Sequence, residues 1–225
     1  MKKAHYYLVL SNVETIMYRI VLSLISVLIL SISSFTHASP EAELQGYGAF
    51  SHLNKDWMLM ALYSDVTASD KAPLAQRLEI KIATKKFSPR RFRQLWLETL
   101  GVEYSAEKMT AMQDELQQFF NIVQGPLKQG DILIIEHVQI EGLVITDVKL
   151  NYHNLAQLSE GFLDTLVQSL VGKHPPTQAL KAGLTGQEGL RAQTNLGIRF
   201  DRLEPTLPRI SEISRWGKRV LISNL

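Results

Sequence analysis

Few of the side-chain groupings that carry chemistry occur in this chain. It has no cysteine, which removes thiol catalysis, disulfides, thiolate metal sites and lipoprotein modification together. No Gly-x-Ser-x-Gly turn presents a serine nucleophile, and no P-loop lysine motif is present. His52, His137, His153 and His174 are scattered, with no partner at helix-face spacing. Glu136 and His137 are neighbours on an expected strand and so point to opposite faces. A metal needs three or four converging ligands, so neither a metal nor a cofactor is expected. Gly183, Gly186 and Gly189 are evenly spaced, but no strand precedes them as a dinucleotide site requires. They read as a flexible exit from a helix. What remains is apolar. Trp57 and Trp96 read as core anchors, although a tryptophan on a strand beside a cleft also lines pockets. Met58, Met60, Met109 and Met112 fill a core or wall an adaptable lipid pocket.

The elements that must position these residues follow from periodicity. Leu44–His52 reads as a strand, with Gly46 and Gly48 marking a bulge or close backbone approach. Asp56–Ser64 is apolar on both faces, as a covered strand is, and a tight link at Asn54-Lys55 makes the two a hairpin. Residues 65–75 read as a loop. Gln76–Thr84 alternates, with Leu78, Ile80 and Ile82 on one face and Glu79 and Lys81 on the other. Ser88-Pro89 opens a helix as N-cap and first residue. Its stripe is Phe92, Leu95, Trp96, Thr99 and Leu100, and Gly101 ends it. Ser105 caps a second helix carrying Met109, Met112, Leu116, Phe119 and Phe120. Asp131–Val138 and Leu143–Leu150 read as strands joined through Glu141-Gly142. Asn154–Gly172 reads as a third helix with the stripe Leu155, Leu158, Phe162, Leu166 and Leu170. A short helix, Thr177–Leu184, follows. From residue 187 the pattern loosens, with one candidate strand at Leu196–Leu203 and a basic tail. The amphipathic elements end before this tail, so its removal is expected to leave the domain folded. Strands clustered in hairpins, with helices between them, favour an antiparallel sheet layered with helices on one face.

Residues 20–36 carry no charge. Arg19 precedes them and Thr36-His37-Ala38 follows as a cleavage site, which is the layout of a signal peptide. Met17 is then the natural start of a compact signal. The expected division is residues 1–38 as signal peptide or N-terminal anchor, 39–186 as the domain and 187–225 as a C-terminal extension. Export to a bacterial periplasm is expected. The alternative is an inner-membrane anchor facing the periplasm, with membrane contact through the N-terminal segment. The formal charge of +2 belongs to the leader, because Lys2, Lys3 and Arg19 there face only Glu14. The remaining 187 residues hold 21 basic and 21 acidic side chains, a balance that argues against a nucleic-acid partner.

Several segments, in order, resemble the chalcone isomerase-like family in its bacterial exported branch. They are Leu-Gln-Gly-Tyr-Gly (44–48) leading to Met-Ala-Leu-Tyr (60–63), Phe-Ser-Pro-Arg-Arg-Phe (87–92), and Lys-Gln-Gly-Asp-Ile-Leu (128–133). Ser-Leu-Val-Gly-Lys-His-Pro (169–175) and Leu-Lys-Ala-Gly-Leu (180–184) complete the set. The resemblance implies an α+β fold, an open-faced antiparallel sheet covered by a layer of helices, with a cleft between the two. True chalcone isomerases use an arginine on the opening strand, a threonine on the next, and a tyrosine and a lysine around the first helix. Here no arginine lies between Arg19 and Arg77, and Met58, Phe87 and Arg90 stand near the other three places. Flavonoid ring closure needs those groups to stabilise oxyanion character, so no catalytic residue is assigned.

The family also contains fatty-acid-binding members. The resemblance therefore implies a non-catalytic protein that holds a small apolar or amphipathic ligand in the cleft. Trp57, Met58 and Phe87 form the expected apolar wall, and Arg90 or Arg91 the carboxylate partner. An intramolecular lyase or isomerase with an altered substrate is the alternative. A weaker third reading is a structural partner in an envelope complex, using the basic tail.

Overall fold

The computed structural model describes residues 42–53, 55–64 and 75–223. The expected signal peptide or anchor lies outside the described residues, as does nearly all of the expected 65–75 loop. Strands β1 (Glu43–His52), β2 (Lys55–Ser64) and β3 (Ala75–Ile82) form an antiparallel meander. The two-residue strands β4 (Lys86–Phe87) and β5 (Leu127–Lys128) pair with each other. Between them run α1 (Pro89–Glu103), α2 (Ala106–Ala111) and α3 (Gln113–Asn121). Strands β6 (Ile132–Ile140), β7 (Leu143–Leu150) and β8 (His153–Ser159) complete a six-stranded sheet of order β1-β2-β3-β6-β7-β8. Helices α4 (Gly161–Val171), α5 (Gln178–Leu184), α6 (Leu190–Asp201) and α7 (Leu207–Ser223) follow. This is the expected α+β layering, with every neighbouring strand pair antiparallel.

Alternation along the strands produces two different faces. Met58, Met60 and Leu62 on β2, Leu78, Ile80 and Ile82 on β3, and Leu133 and Ile135 on β6 enter the main core. There they meet Phe92, Trp96 and Leu100 of α1, Phe119 of α3, and Phe162, Leu166 and Leu170 of α4. The N-cap of α1 is as the sequence reads: the Ser88 hydroxyl accepts from the Arg91 amide, and all five stripe residues are buried. Gly101 does not end the helix, which runs two residues further to Glu103. The reverse face is polar on the inner strands. Arg77, Glu79 and Lys81 alternate along β3, and Lys149 on β7 donates to Glu136 of β6 at 2.5 Å. The Tyr152 hydroxyl donates to Glu204, and burial, then that carboxylate, pushes its pKa up to about 12.

Two segments correct the sequence-based expectations. His153–Ser159 is strand β8, so the third helix starts only at Gly161. A bulge is the reason. Val148 pairs with Ala156 and Lys149 with Asn154, leaving Leu155 as an extra residue turned into the core. Leu155 and Leu158 thus reproduce helical spacing on a strand. Conversely, Leu196–Leu203 is not a strand, since Leu190–Asp201 is helix α6. Leu196, Phe200 and Leu203 are spaced for one helix face, and that face covers Leu59, Ala61, Tyr47 and Tyr63 on the reverse side of β1 and β2. The amphipathic elements therefore continue past residue 186. Ile213 and Trp216 of α7 belong to the main core.

The edge strand β1 is closed by close packing. A Cβ on Gly46 would lie 2.2 Å from the Gly183 carbonyl oxygen, and one on Gly183 would lie 2.5 Å from that of Tyr47. Gln193 of α6 seals the outer edge: its Oε1 accepts from the Tyr47 amide at 2.8 Å, and its Nε2 donates to the Tyr47 and Gly183 carbonyls. An exposed strand edge invites pairing with other chains, and here a side-chain amide occupies it. Gly183→Ala is expected to cost about 1–3 kcal/mol, because backbone rather than a flexible side chain must move. Gly101→Ala, which meets nothing within 4 Å, should instead stabilise by about 0.5–1 kcal/mol. Thermal melts of the two variants check the contrast. Equal and small shifts would show that α5 does not need this approach.

Candidate functional site

The extra residue of a second bulge builds the first candidate site. Phe50 pairs with Met58 and Ser51 with Asp56, so Trp57 has no partner on β1. Bulges re-aim side chains, and Trp57 packs against the main core together with Phe50. Its carbonyl accepts from the Ala83 amide at 2.9 Å, which ties the bulge to the end of β3. The indole is half-buried. Around it lie His52 at 4.9 Å, Phe87 at 5.7 Å and Phe50 at 6.2 Å between ring centres. The Arg91 guanidinium sits 4.7 Å from its centre, a cation–π contact that holds the charge at the rim of the helix–sheet layer. Arg91 is placed there by the Ser88 cap, which fixes the first turn of α1.

Of the residues singled out from sequence, Trp57, Phe87 and Arg91 therefore come together. Met58 is fully buried beneath them, in the core. Arg90 goes elsewhere, to a shallow surface groove on the outer face of α1 with Arg93, Gln94, Leu97 and Glu98. Phe50 and His52 were not singled out for this site. Their sequence signal is only their place opposite Trp57 in the hairpin.

Behind this rim the layer is apolar and soft. Met58, Met60 and Met112 are buried in it, beside a ring cluster of Phe92, Trp96, Phe119 and Phe162 with centroids 5.3 to 6.5 Å apart. The buried hydroxyls of the flanking helices are occupied: Thr99 donates to Leu95, Thr165 to Gly161 and Ser169 to Leu166, each a carbonyl of its own helix. The Trp96 side chain is fully buried, and its Nε1–H has no acceptor among the described residues. Such an unmet donor costs about 1–3 kcal/mol. Among the described residues, these groups do not assemble a set of donors to stabilise a forming oxyanion. That task needs several preorganised donors.

The histidines are apart, each with its own neighbour. His137 Nε2 lies 2.8 Å from the Glu160 carbonyl oxygen, His153 Nε2 lies 3.1 Å from that of Ile210, and His174 Nδ1 lies 3.4 Å from the Glu103 carboxylate. The spaced glycines have separate structural tasks. Gly183 allows the approach to β1, Gly186 turns with φ +68°, and Gly189 caps α6.

A family model described as chalcone isomerase-like matches residues 33–186. Among solved structures, the crystal structure of a fatty-acid binding protein of Arabidopsis thaliana matches with a TM-score of 0.51 at 13% identity. The match covers 68% of this chain and 91% of that one, a likeness of fold. No curated protein matches the sequence.

Proposed function

For a chain that belongs to the chalcone isomerase-like family, we propose a non-catalytic role: binding an apolar or fatty-acid-like ligand between the sheet and the helices. The observation that carries this reading is the Arg91 guanidinium on the Trp57 ring at the rim of a Met- and Phe-lined interior. A cation at the rim and hydrocarbon behind it complement a carboxylate with an apolar tail. Methionines adapt their shape to such tails. The ligand class named for the Arabidopsis protein of the same fold supports the choice. Export, with residues 20–36 as the apolar core of a signal or anchor, is part of the proposal, since an envelope protein meets lipidic ligands at the membrane surface.

Mass spectrometry of small molecules carried by protein purified from its native envelope is the direct test. An amphipathic carboxylate is expected. Titration of a long-chain fatty acid should change tryptophan emission saturably, and Arg91→Ala should weaken binding about tenfold or more, as loss of a charge-assisted hydrogen bond does. A hydroxychalcone should close no faster than its spontaneous rate, since losing one oxyanion donor typically costs about 10²–10³ and Met58 and Phe87 supply none. Saturable turnover abolished by Arg90→Ala would replace the binding reading with the lyase or isomerase alternative.

A further inference from the structure

We infer a second ligand site, on the reverse face of the sheet, that takes a phosphate monoester group. A cavity of about 730 Å³ opens where the ends of β2 and β3 meet α6 and the residues just after it. Lys55, Lys85, Arg199 and Arg202 line it, and Leu59 and Leu203 contribute its apolar part. Leu59 belongs to the reverse-face cluster, away from the Met-lined interior, so this site is separate from the one proposed above. Arg199, Arg202 and Leu203 also lie beyond residue 186, where the family match ends. The site is thus supplied in part by residues outside that match.

Charge and size choose the ligand class. Among the described residues lining it, four cations face one carboxylate, Asp56, which Arg199 and Ser51 both hydrogen-bond. Burial pushes the Asp56 carboxyl up, but those two hydrogen bonds outweigh it and hold the pKa below its ordinary value. Asp56 therefore stays ionised and neutralises one cation, and three positive charges remain. A dianion answers that excess better than a monoanion does, and guanidinium forks match phosphate oxygens. The volume exceeds that of a bare phosphate, and the leucines offer a surface for an organic remainder. That remainder is a small soluble ester or the start of a lipid.

The test uses the full chain and two probes. One is glycerol phosphate, followed by calorimetry at low and physiological salt. The other is phosphatidylcholine vesicles with and without phosphatidic acid. Because the full chain carries the apolar run at 20–36, the vesicle readout is the preference for phosphatidic acid, not total binding. Saturable, salt-sensitive binding of the soluble ester is expected, with at least tenfold loss in Arg199→Gln combined with Arg202→Gln. A phosphatidic acid preference lost in that variant, without soluble binding, would also support the site and assign it to a headgroup. If melting shows that variant to be unfolded, Lys55→Gln with Lys85→Gln reads the same site, since both lysines line it and neither side chain has a hydrogen-bond or ion-pair partner among the described residues. Arg93→Gln with Lys108→Gln, a matched charge change on α1 and α2, should have no effect. Equal loss in that control, or no saturable response to either probe, would overturn the inference. Fatty-acid binding at the Arg91 rim should persist in the Arg199 and Arg202 variant, so failure of one site does not count against the other.

Discussion

A chain ending at Gly186 is expected not to fold into the stable domain that the full chain forms. Removal of 187–225 takes away Ile213, Trp216 and Phe200, which are 0%, 7% and 2% exposed, and uncovers the core residues they pack against. Burial of each such side chain contributes about 1.5–3 kcal/mol, so the three together approach the roughly 5–15 kcal/mol of an ordinary domain. The truncation also strips Gln193 from the β1 edge and the Arg209 partner from Asp131. Circular dichroism in the near ultraviolet and a melting scan decide the matter. The truncated chain should lose its near-ultraviolet signal, lose cooperativity or aggregate. A melting temperature within a few degrees of the full chain would show that the sequence-based expectation for this tail is right and that the helical packing is dispensable.

That expectation shows where sequence reasoning stops. The β1–β2–β3 meander was legible because β3 alternates, β2 is apolar on both faces as a covered strand is, and a tight link joins β1 to β2, and α1 because a Ser-Pro start and five apolar positions agree. The family resemblance was legible from short segments in order, and the family match covers the same stretch. Two kinds of feature were not. Bulges at Leu155 and Trp57 insert one residue and shift the period, so a strand reads as a helix in one place and a strand side chain changes face in the other. Nothing local marks either insertion. Long-range partners were the second kind. Gln193 sits in a polar-looking helix, and only the fold shows that it completes a strand edge 146 residues earlier. The basic tail likewise reads as an extension outside the domain, because Arg209 gives no local sign that it is buried. At the candidate site, Trp57, Phe87 and Arg91 were named from the resemblance and do meet, while Arg90, one residue away, turns about a quarter of the helix circumference off.

The second large effect is expected at Asp131, in the segment Lys-Gln-Gly-Asp-Ile-Leu. Its carboxylate is fully buried. It accepts from the Lys128 amide at 2.8 Å, from Asn151 at 2.9 Å, and from Arg209 Nε and Nη2 at 3.0 and 2.7 Å. Arg209 is 5% exposed, also donates to the Pro126 carbonyl, and lies 5.2 Å from the Trp216 ring centre. Glu212 completes its surroundings at 2.9 Å. This one residue thus fixes the turn before β6, the turn after β7 through Asn151, and the start of α7. Asp131→Ala leaves a buried guanidinium short of its main partner, a change that costs about 3–5 kcal/mol. For a domain of this size the melting temperature should then fall by roughly 6–20 °C, at 2–4 °C per kcal/mol. Arg209→Met removes the charge and keeps much of the volume. Replacement of a whole buried pair by apolar groups is often close to neutral, so the double variant should lose much less than the two single losses added. A coupling of at least about 2 kcal/mol is expected for groups sharing one network. Additive losses would mean that Asp131 acts through the turn alone. Because Arg209 comes from the tail and Asp131 from the sheet, a large coupling would also show that α7 is docked by this pair, so that the tail and the matched domain unfold as one unit.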